Sequence, residues 1–208
     1  MLTADGWFDF AERMPGPADK IWPDANLNQG VVFHSAVGSL QGVINIVLGP
    51  TSNYRSVTGV IGYDGRFVQF YPVMASPWAN GSHDTNRRFL GFEHEGGVDT
   101  PATVSEPLTD AQVAVDVRIL KDLAAYKGVG VDYWKRPSTL VEHREIFPTA
   151  CPSGRIRWDD ILAGLTPAPP LPEPPVQAPY LLSFERRDVF SDGTIWAMTG
   201  TYDPPPGV

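Results

Sequence analysis

The sequence predicts an α/β domain, and three observations carry that prediction. Val31 to Ala36 is a short β-branched and aromatic run that reads as a buried strand. Asp64-Gly65 sits between two β-rich segments, the strongest short-range signal for a hairpin. Thr109 to Lys127 opens with the capping box Thr109-Asp-Ala-Gln112 and carries Val113, Val117, Leu120 and Ala124 at helical spacing. At 208 residues the chain can bury one sizeable core with something left over.

Taken in order, residues 1 to about 30 are rich in Trp, Pro, Gly, Asp and Asn without periodicity. They read as a loop lead-in with one short helix near Trp7 to Arg13. After the strand Val31 to Ala36, Ser39 to Leu48 places Leu40, Val43, Ile44 and Val47 on one helix face, with Gly49-Pro50 as a stop. Ser56 to Ile61 and Arg66 to Tyr71 form the two arms of the hairpin. Pro72 to Arg88 reads as a long loop bordering a groove, because loops of that length in a compact domain are often functional. Phe89 to Glu95 is the next strand; its alternation puts Glu93 and Glu95 on one face, with Phe92 and His94 on the other. The long helix follows, and Trp158 to Leu162 closes the domain as a last helix.

Composition changes at Leu165. The expected organisation is one main domain over residues 1–164, a stiff Pro-rich linker over 165–179 and a short tail over 180–208. Apolar runs on either side of Asp192-Gly193 predict a small hairpin in that tail.

The net charge is −8 and there is no Lys/Arg-rich run, so nucleic acid and anionic membrane surfaces are poor partners. A single cysteine excludes an internal disulfide. The amino terminus has acidic residues where a signal peptide needs a basic start and an unbroken apolar core. No span approaches transmembrane length. A monomer made in the cytoplasm is the expectation.

The stretch with the most chemistry is Val141 to Gly154, where His143 and the only cysteine, Cys151, stand eight positions apart. Pro148 between them makes the connection a loop, so the two side chains can fold back toward one point. Neutral imidazole and thiolate both suit Zn²⁺, which takes three protein ligands and one water when it is catalytic. His34, at the end of the first long strand, is the natural third ligand. Taken singly, each of the three is more often a buried or hydrogen-bonded structural residue.

Several separated motifs together are similar to the zinc-dependent N-acetylmuramoyl-L-alanine amidases of the phage T7 lysozyme and peptidoglycan-recognition-protein type. They are the hydrophobic-His-Ser-Ala strand Val32 to Ala36, the hairpin Tyr63-Asp-Gly-Arg66, and Asn86 followed by Gly91-Phe-Glu-His-Glu-Gly96. Leu108-Thr-Asp-Ala-Gln112, the His-x7-Cys-Pro loop and Trp158-Asp-Asp-Ile-Leu162 complete the set. The resemblance implies a central mixed β-sheet flanked by helices, with zinc held by His34, His143 and Cys151.

It also implies hydrolysis of the amide between N-acetylmuramic acid and L-alanine in bacterial peptidoglycan. Glu93 is the expected proton-transfer residue, with Glu95 in reserve and His94 pointing away. Thr149, where the T7 branch has lysine, keeps a hydroxyl that could donate to an oxyanion. Val57 stands where that branch has a catalytic tyrosine, which shifts proton transfer toward Glu93. The family's Trp-His-Ala-Gly reads Trp78-Ala-Asn-Gly81 here; Trp78 and Asn86 are expected groove contacts, and His83 a groove or surface residue.

The absence of a signal peptide suits a phage endolysin, made in the host cytoplasm and released to the cell wall by holins. Two rivals are a non-catalytic peptidoglycan-recognition module, which typically lacks the cysteine ligand, and a glycosidase using Glu93 and Glu95 as a carboxylate pair.

Overall fold

The structure is a computed structural model that describes residues 1–97 and 106–166 together with two strands near the carboxyl end. The chain divides into two compact units, residues 1–167 and 168–208.

In the first unit the elements run β1 (Glu12–Arg13), β2 (Ile21–Trp22), β3 (Gly30–Ser35), α1 (Leu40–Leu48), β4 (Gly59–Ile61), β5 (Phe67–Gln69) and β6 (Ser76–Pro77). Next come α2 (His83–Arg88), β7 (Phe89–His94), α3 (Asp110–Lys127), β8 (Leu140–Glu142), α4 (His143–Ile146) and α5 (Trp158–Leu165). Six strands form one mixed sheet in the order β1-β5-β4-β7-β3-β8. The strands β4, β7, β3 and β8 are mutually parallel, β5 returns antiparallel to β4, and β1 runs parallel to β5 at the edge.

Helices cover both faces, as expected. The period of two divides the strands cleanly. Phe33, Ile61, Phe67, Leu90 and Phe92 meet α3 and α5 through Ile119, Leu120, Leu123, Ile161 and Leu165. On the opposite face Val60 and Val68 pack against Leu40, Val43, Ile44 and Val47 of α1. Ser39 caps α1 by accepting the Gly42 N–H. At the other end the ammonium of Lys20, fully buried, donates to the carbonyls of Ile46 and Val47 and to Asn53 Oδ1. A cation at a helix carboxyl end satisfies carbonyls that have no partner within the helix.

Two expectations need correction. There is no helix at Trp7 to Arg13; instead Phe8 is fully buried, its N–H donates to Oε1 of buried Gln69, and Glu12–Arg13 adds an edge strand. Nor is Pro72 to Arg88 all loop, because β6 pairs antiparallel with β2 and Ser82 and Thr85 form a reciprocal capping box that starts α2. Both elements are held by tertiary contacts and are too short to show a period in sequence. The long helix α3 has the capping box and the left-handed glycine cap, Gly128 at φ 67°, that its sequence predicts.

In the second unit β9 (Phe184–Val189) and β10 (Ile195–Gly200) pair antiparallel, Phe184 opposite Gly200. The Asp192-Gly193 turn and residues 167–179 of the expected linker lie outside the described residues. Among the described residues no helix is long and apolar enough to cross a membrane.

Candidate metal centre

Three parallel strands end side by side, and each delivers one chemical group. In an open α/β sheet the carboxyl ends of the strands are where ligands bind. His34 is the penultimate residue of β3 and Glu93 the penultimate residue of β7; they are register partners, so both project to the α1 face. On the other side of β3, β8 runs straight into α4, whose first residue is His143.

After one helical turn the chain doubles back through Pro148, and the Arg144 N–H donates to the Cys151 carbonyl at 2.8 Å. That latch returns Cys151 to the end of β3, where its Sγ accepts the Ser35 N–H at 3.2 Å. The Sγ then lies 3.9 Å from His34 Nδ1, and the His34 and His143 rings are 4.4 Å apart between centroids. Ligand atoms of His34, His143 and Cys151 all fall within 4.8 Å of one another, a group that could hold a metal ion.

These three side chains share a cavity of about 320 Å³ with Glu93, Thr149 and Trp78. Burial, and next the neighbouring His143, bring the His34 pKa down to about 3, so its ring is neutral at ordinary pH. Burial pushes Glu93 up to about 7, only partly opposed by His94 and Arg55. Its Oε2 is buried and has no hydrogen-bond partner among the described residues. A carboxyl group poised near neutrality in a cavity is suited to moving protons.

Thr149 lines the same cavity, and its Oγ1 accepts the Cys151 N–H at 3.2 Å. Val57 is there too, buried, so no tyrosine hydroxyl is offered at that position. Trp78 stands between this cavity and a neighbouring one of about 390 Å³ that Trp22 and Tyr54 also line.

Asn86 also lines that second cavity; it is 3% exposed, and its Oδ1 accepts the N–H groups of Ala79 and Asn80, so it shapes the loop under Trp78. The two oxygens of Glu95 accept the N–H groups of Leu40 and Tyr63, stapling α1 to the hairpin. With Glu95 so engaged, Glu93 and Glu95 do not form the carboxylate pair a glycosidase would need. His83 sits outside the metal group, 2.9 Å from Asp24.

His94 points away, as expected. It is fully buried on the α3 face, its Nδ1 2.9 Å from the His34 carbonyl and its Nε2 3.0 Å from Asp116. Burial lowers the His94 pKa, but the Asp116 carboxylate and the two hydrogen bonds outweigh it and raise it, while burial raises Asp116 in turn.

Three supporting residues went unread in the sequence. Asp116 left a trace, a carboxylate on the apolar stripe of α3. Arg155, 1% exposed, donates to Ser35 Oγ and to the carbonyls of His94, Glu95 and Glu106, tying together the ends of β3 and β7. Asn80, 1% exposed, places its Oδ1 2.9 Å from His34 Nε2 and donates from Nδ2 to the Phe89 carbonyl at 3.0 Å. Neither has a local pattern that points to its partner.

The parallel strand ends of the mixed sheet thus converge on a His-His-Cys group that could hold a metal ion, with the Glu93 carboxyl alongside. The N-acetylmuramoyl-L-alanine amidase family, Amidase_2, matches residues 24–154, and this chain belongs to that family.

Solved structures share the fold at low identity. A selenomethionine derivative of AmpD is 21% identical, with 80% of this chain and all of that one covered at a TM-score of 0.58. The endolysin N-acetylmuramoyl-L-alanine amidase LysCS from Clostridium intestinale is 17% identical, covering 77% of this chain and 97% of that one at 0.53. Peptidoglycan recognition protein LE, in complex with tracheal cytotoxin, is 15% identical, covering 73% and 92% at 0.54. Among curated proteins no sequence match was found.

Proposed function

We propose that this chain is a zinc-dependent amidase that hydrolyses the bond between N-acetylmuramic acid and L-alanine of bacterial peptidoglycan, in an endolysin-like role. One observation carries the reading: in a member of the amidase family, His34, His143 and Cys151 meet in a single cavity with the Glu93 carboxyl, whose buried Oε2 has no hydrogen-bond partner among the described residues. In this reading residues 1–164 do the chemistry, 165–179 are a linker and 180–208 a tail of separate role.

The donor set fits zinc. Bond lengths of ~2.3 Å to sulfur and ~2.05 Å to nitrogen in a tetrahedron put the two ligand atoms about 3.6 Å apart. The Cys151 Sγ and His34 Nδ1 are 3.9 Å apart, close to that value. Two neutral imidazoles and one thiolate leave a fourth position for water, the pattern of a catalytic site. When bound, zinc would lower the pKa of a coordinated water toward ~7 and polarise the scissile carbonyl.

The residues of the chain supply the rest. Glu93 takes a proton from the attacking water and returns it to the departing amine of L-alanine, a task suited to its pKa of about 7. Thr149 presents a hydroxyl that can donate to the developing oxyanion. Trp78 offers an aromatic wall to the substrate at the mouth of the cavity. The main chain and the side chains of Ser35 and Arg155 keep the strand ends still.

Digestion of purified peptidoglycan tests this. New L-alanine amino termini would support the amidase, new reducing sugars would mean a glycosidase, and muropeptide binding without cleavage would mean a recognition module.

A further inference from the structure

Asn80 belongs to the loop Trp78-Ala-Asn-Gly81 between β6 and α2, and no part of the reaction described above uses it. It is nevertheless firmly held, by both its main chain and its side chain. Its N–H donates to Asn86 Oδ1 at 2.6 Å, its carbonyl accepts from Thr85 Oγ1 at 2.6 Å, and its Nδ2 donates to the Phe89 carbonyl at 3.0 Å. Those contacts leave Oδ1 facing His34 Nε2 at 2.9 Å, in a region from which water is excluded.

The orientation of the amide is fixed by chemistry. Turned over, Oδ1 would face the Phe89 carbonyl oxygen, two acceptors at hydrogen-bond distance with no proton between them. An amide oxygen can only accept, so Nε2 of His34 must carry its proton. A neutral imidazole has one N–H, which leaves the lone pair on Nδ1, the nitrogen 3.9 Å from Cys151 Sγ.

Space for this contact comes from Gly91 on β7. A Cβ there would lie 3.0 Å from Asn80 Oδ1 and 3.3 Å from His34 Nε2, tight enough to push the pair apart.

We propose that Asn80 is a positioning residue for the metal centre, holding His34 as the Nε2–H tautomer so that Nδ1 is its ligand atom. The inference rests on the reading of His34, His143 and Cys151 as a metal site. Partners of this kind orient a ligand ring and raise its basicity, and losing one typically costs ~10- to 100-fold in metal affinity.

Two measurements test it. The first is the tautomer of His34 in the metal-free wild type near pH 7, read from long-range ¹H–¹⁵N correlations of the ring; it needs no variant to fold. The second is zinc affinity of wild type and Asn80→Ala, by competition with a chromophoric chelator. The expected results are an Nε2–H ring in the wild type and a ~10- to 100-fold weaker affinity in Asn80→Ala.

An Nδ1–H ring in the wild type would overturn the assignment, as would an Asn80→Ala affinity within about twofold of wild type. A wild type that binds no zinc would fail differently, by removing the metal reading itself.

Discussion

His34 on β3 and Glu93 on β7 are register partners in adjacent parallel strands. Their side chains therefore leave the sheet on the same face and enter the same cavity, the imidazole toward the metal group and the carboxyl beside it. Their separation is set by main-chain pairing and not by loops. Chemistry built on paired strands is held more rigidly than chemistry built on connections.

If Glu93 moves the proton, Glu93→Gln keeps the shape and loses the acid–base function. Turnover of peptidoglycan is expected to fall by ~10²- to 10⁴-fold while zinc content stays at the wild-type level. Activity within about tenfold of wild type, with metal bound, would remove Glu93 from the mechanism.

The same residue gives a stability prediction. Folding raises the Glu93 pKa from its ordinary 4.5 to about 7, because burial favours the protonated form. Its contribution is intact below the unfolded value and is lost as pH rises through the folded one. Over that window the metal-free protein loses about 3 kcal/mol from this group, at 1.36 kcal/mol for each pKa unit. Glu93→Gln has no such loss, so urea unfolding of the two chelator-treated proteins from pH 4.5 to 8 should show curves that diverge by that amount. Parallel curves would contradict it.

What the sequence made legible was local or periodic. The strand carrying His34, the helix after Ser39, the capping box at Thr109 and the proline-bent loop from His143 to Cys151 are each written in a few neighbouring residues. The alternation in Phe89 to Glu95 was enough to separate Glu93 from His94. The supporting residues were hidden because their partners are remote: Asn80 reaches His34 across 46 positions, Asp116 reaches His94 across 22, and Arg155 reaches Ser35 across 120. The amino-terminal segment misled for a related reason. Its Gly and Asp content suggests a loop lead-in with one short helix, yet Phe8 contacts Phe67 and Phe92 in the core, a relationship only the folded chain creates.

Two arginines two positions apart should behave very differently. Arg155 is buried and satisfies carbonyls at the ends of the strands, so Arg155→Ala should cost at least about 3 kcal/mol, since several charge-assisted hydrogen bonds are lost and a void remains. Arg157 pairs with exposed Asp110 and half-exposed Asp160, so Arg157→Ala should cost far less than Arg155→Ala. Chemical denaturation of both variants checks the contrast, and equal costs would refute it.

Lys20 tests whether the end of α1 needs its buried cation. Lys20→Met keeps the aliphatic stem but strands the Ile46 and Val47 carbonyls and Asn53 Oδ1, for a loss of about 2 to 3 kcal/mol. Because Val43 and Val47 of this helix line the cavity that His34 and Cys151 share, zinc affinity is the second readout. Stability unchanged within about 0.5 kcal/mol would show that water replaces the ammonium at no cost.

In the proposed reaction Cys151 completes a zinc site on which amide cleavage depends. The measurement that bears on it most directly is elemental analysis of wild type and Cys151→Ser, with release of L-alanine amino termini from purified peptidoglycan assayed on the same samples. The prediction is about one zinc per wild-type chain, with metal and cleavage both lost in the variant. A metal-free wild type that binds muropeptides without cutting them, or a Cys151→Ser that cuts as well as wild type, would contradict it.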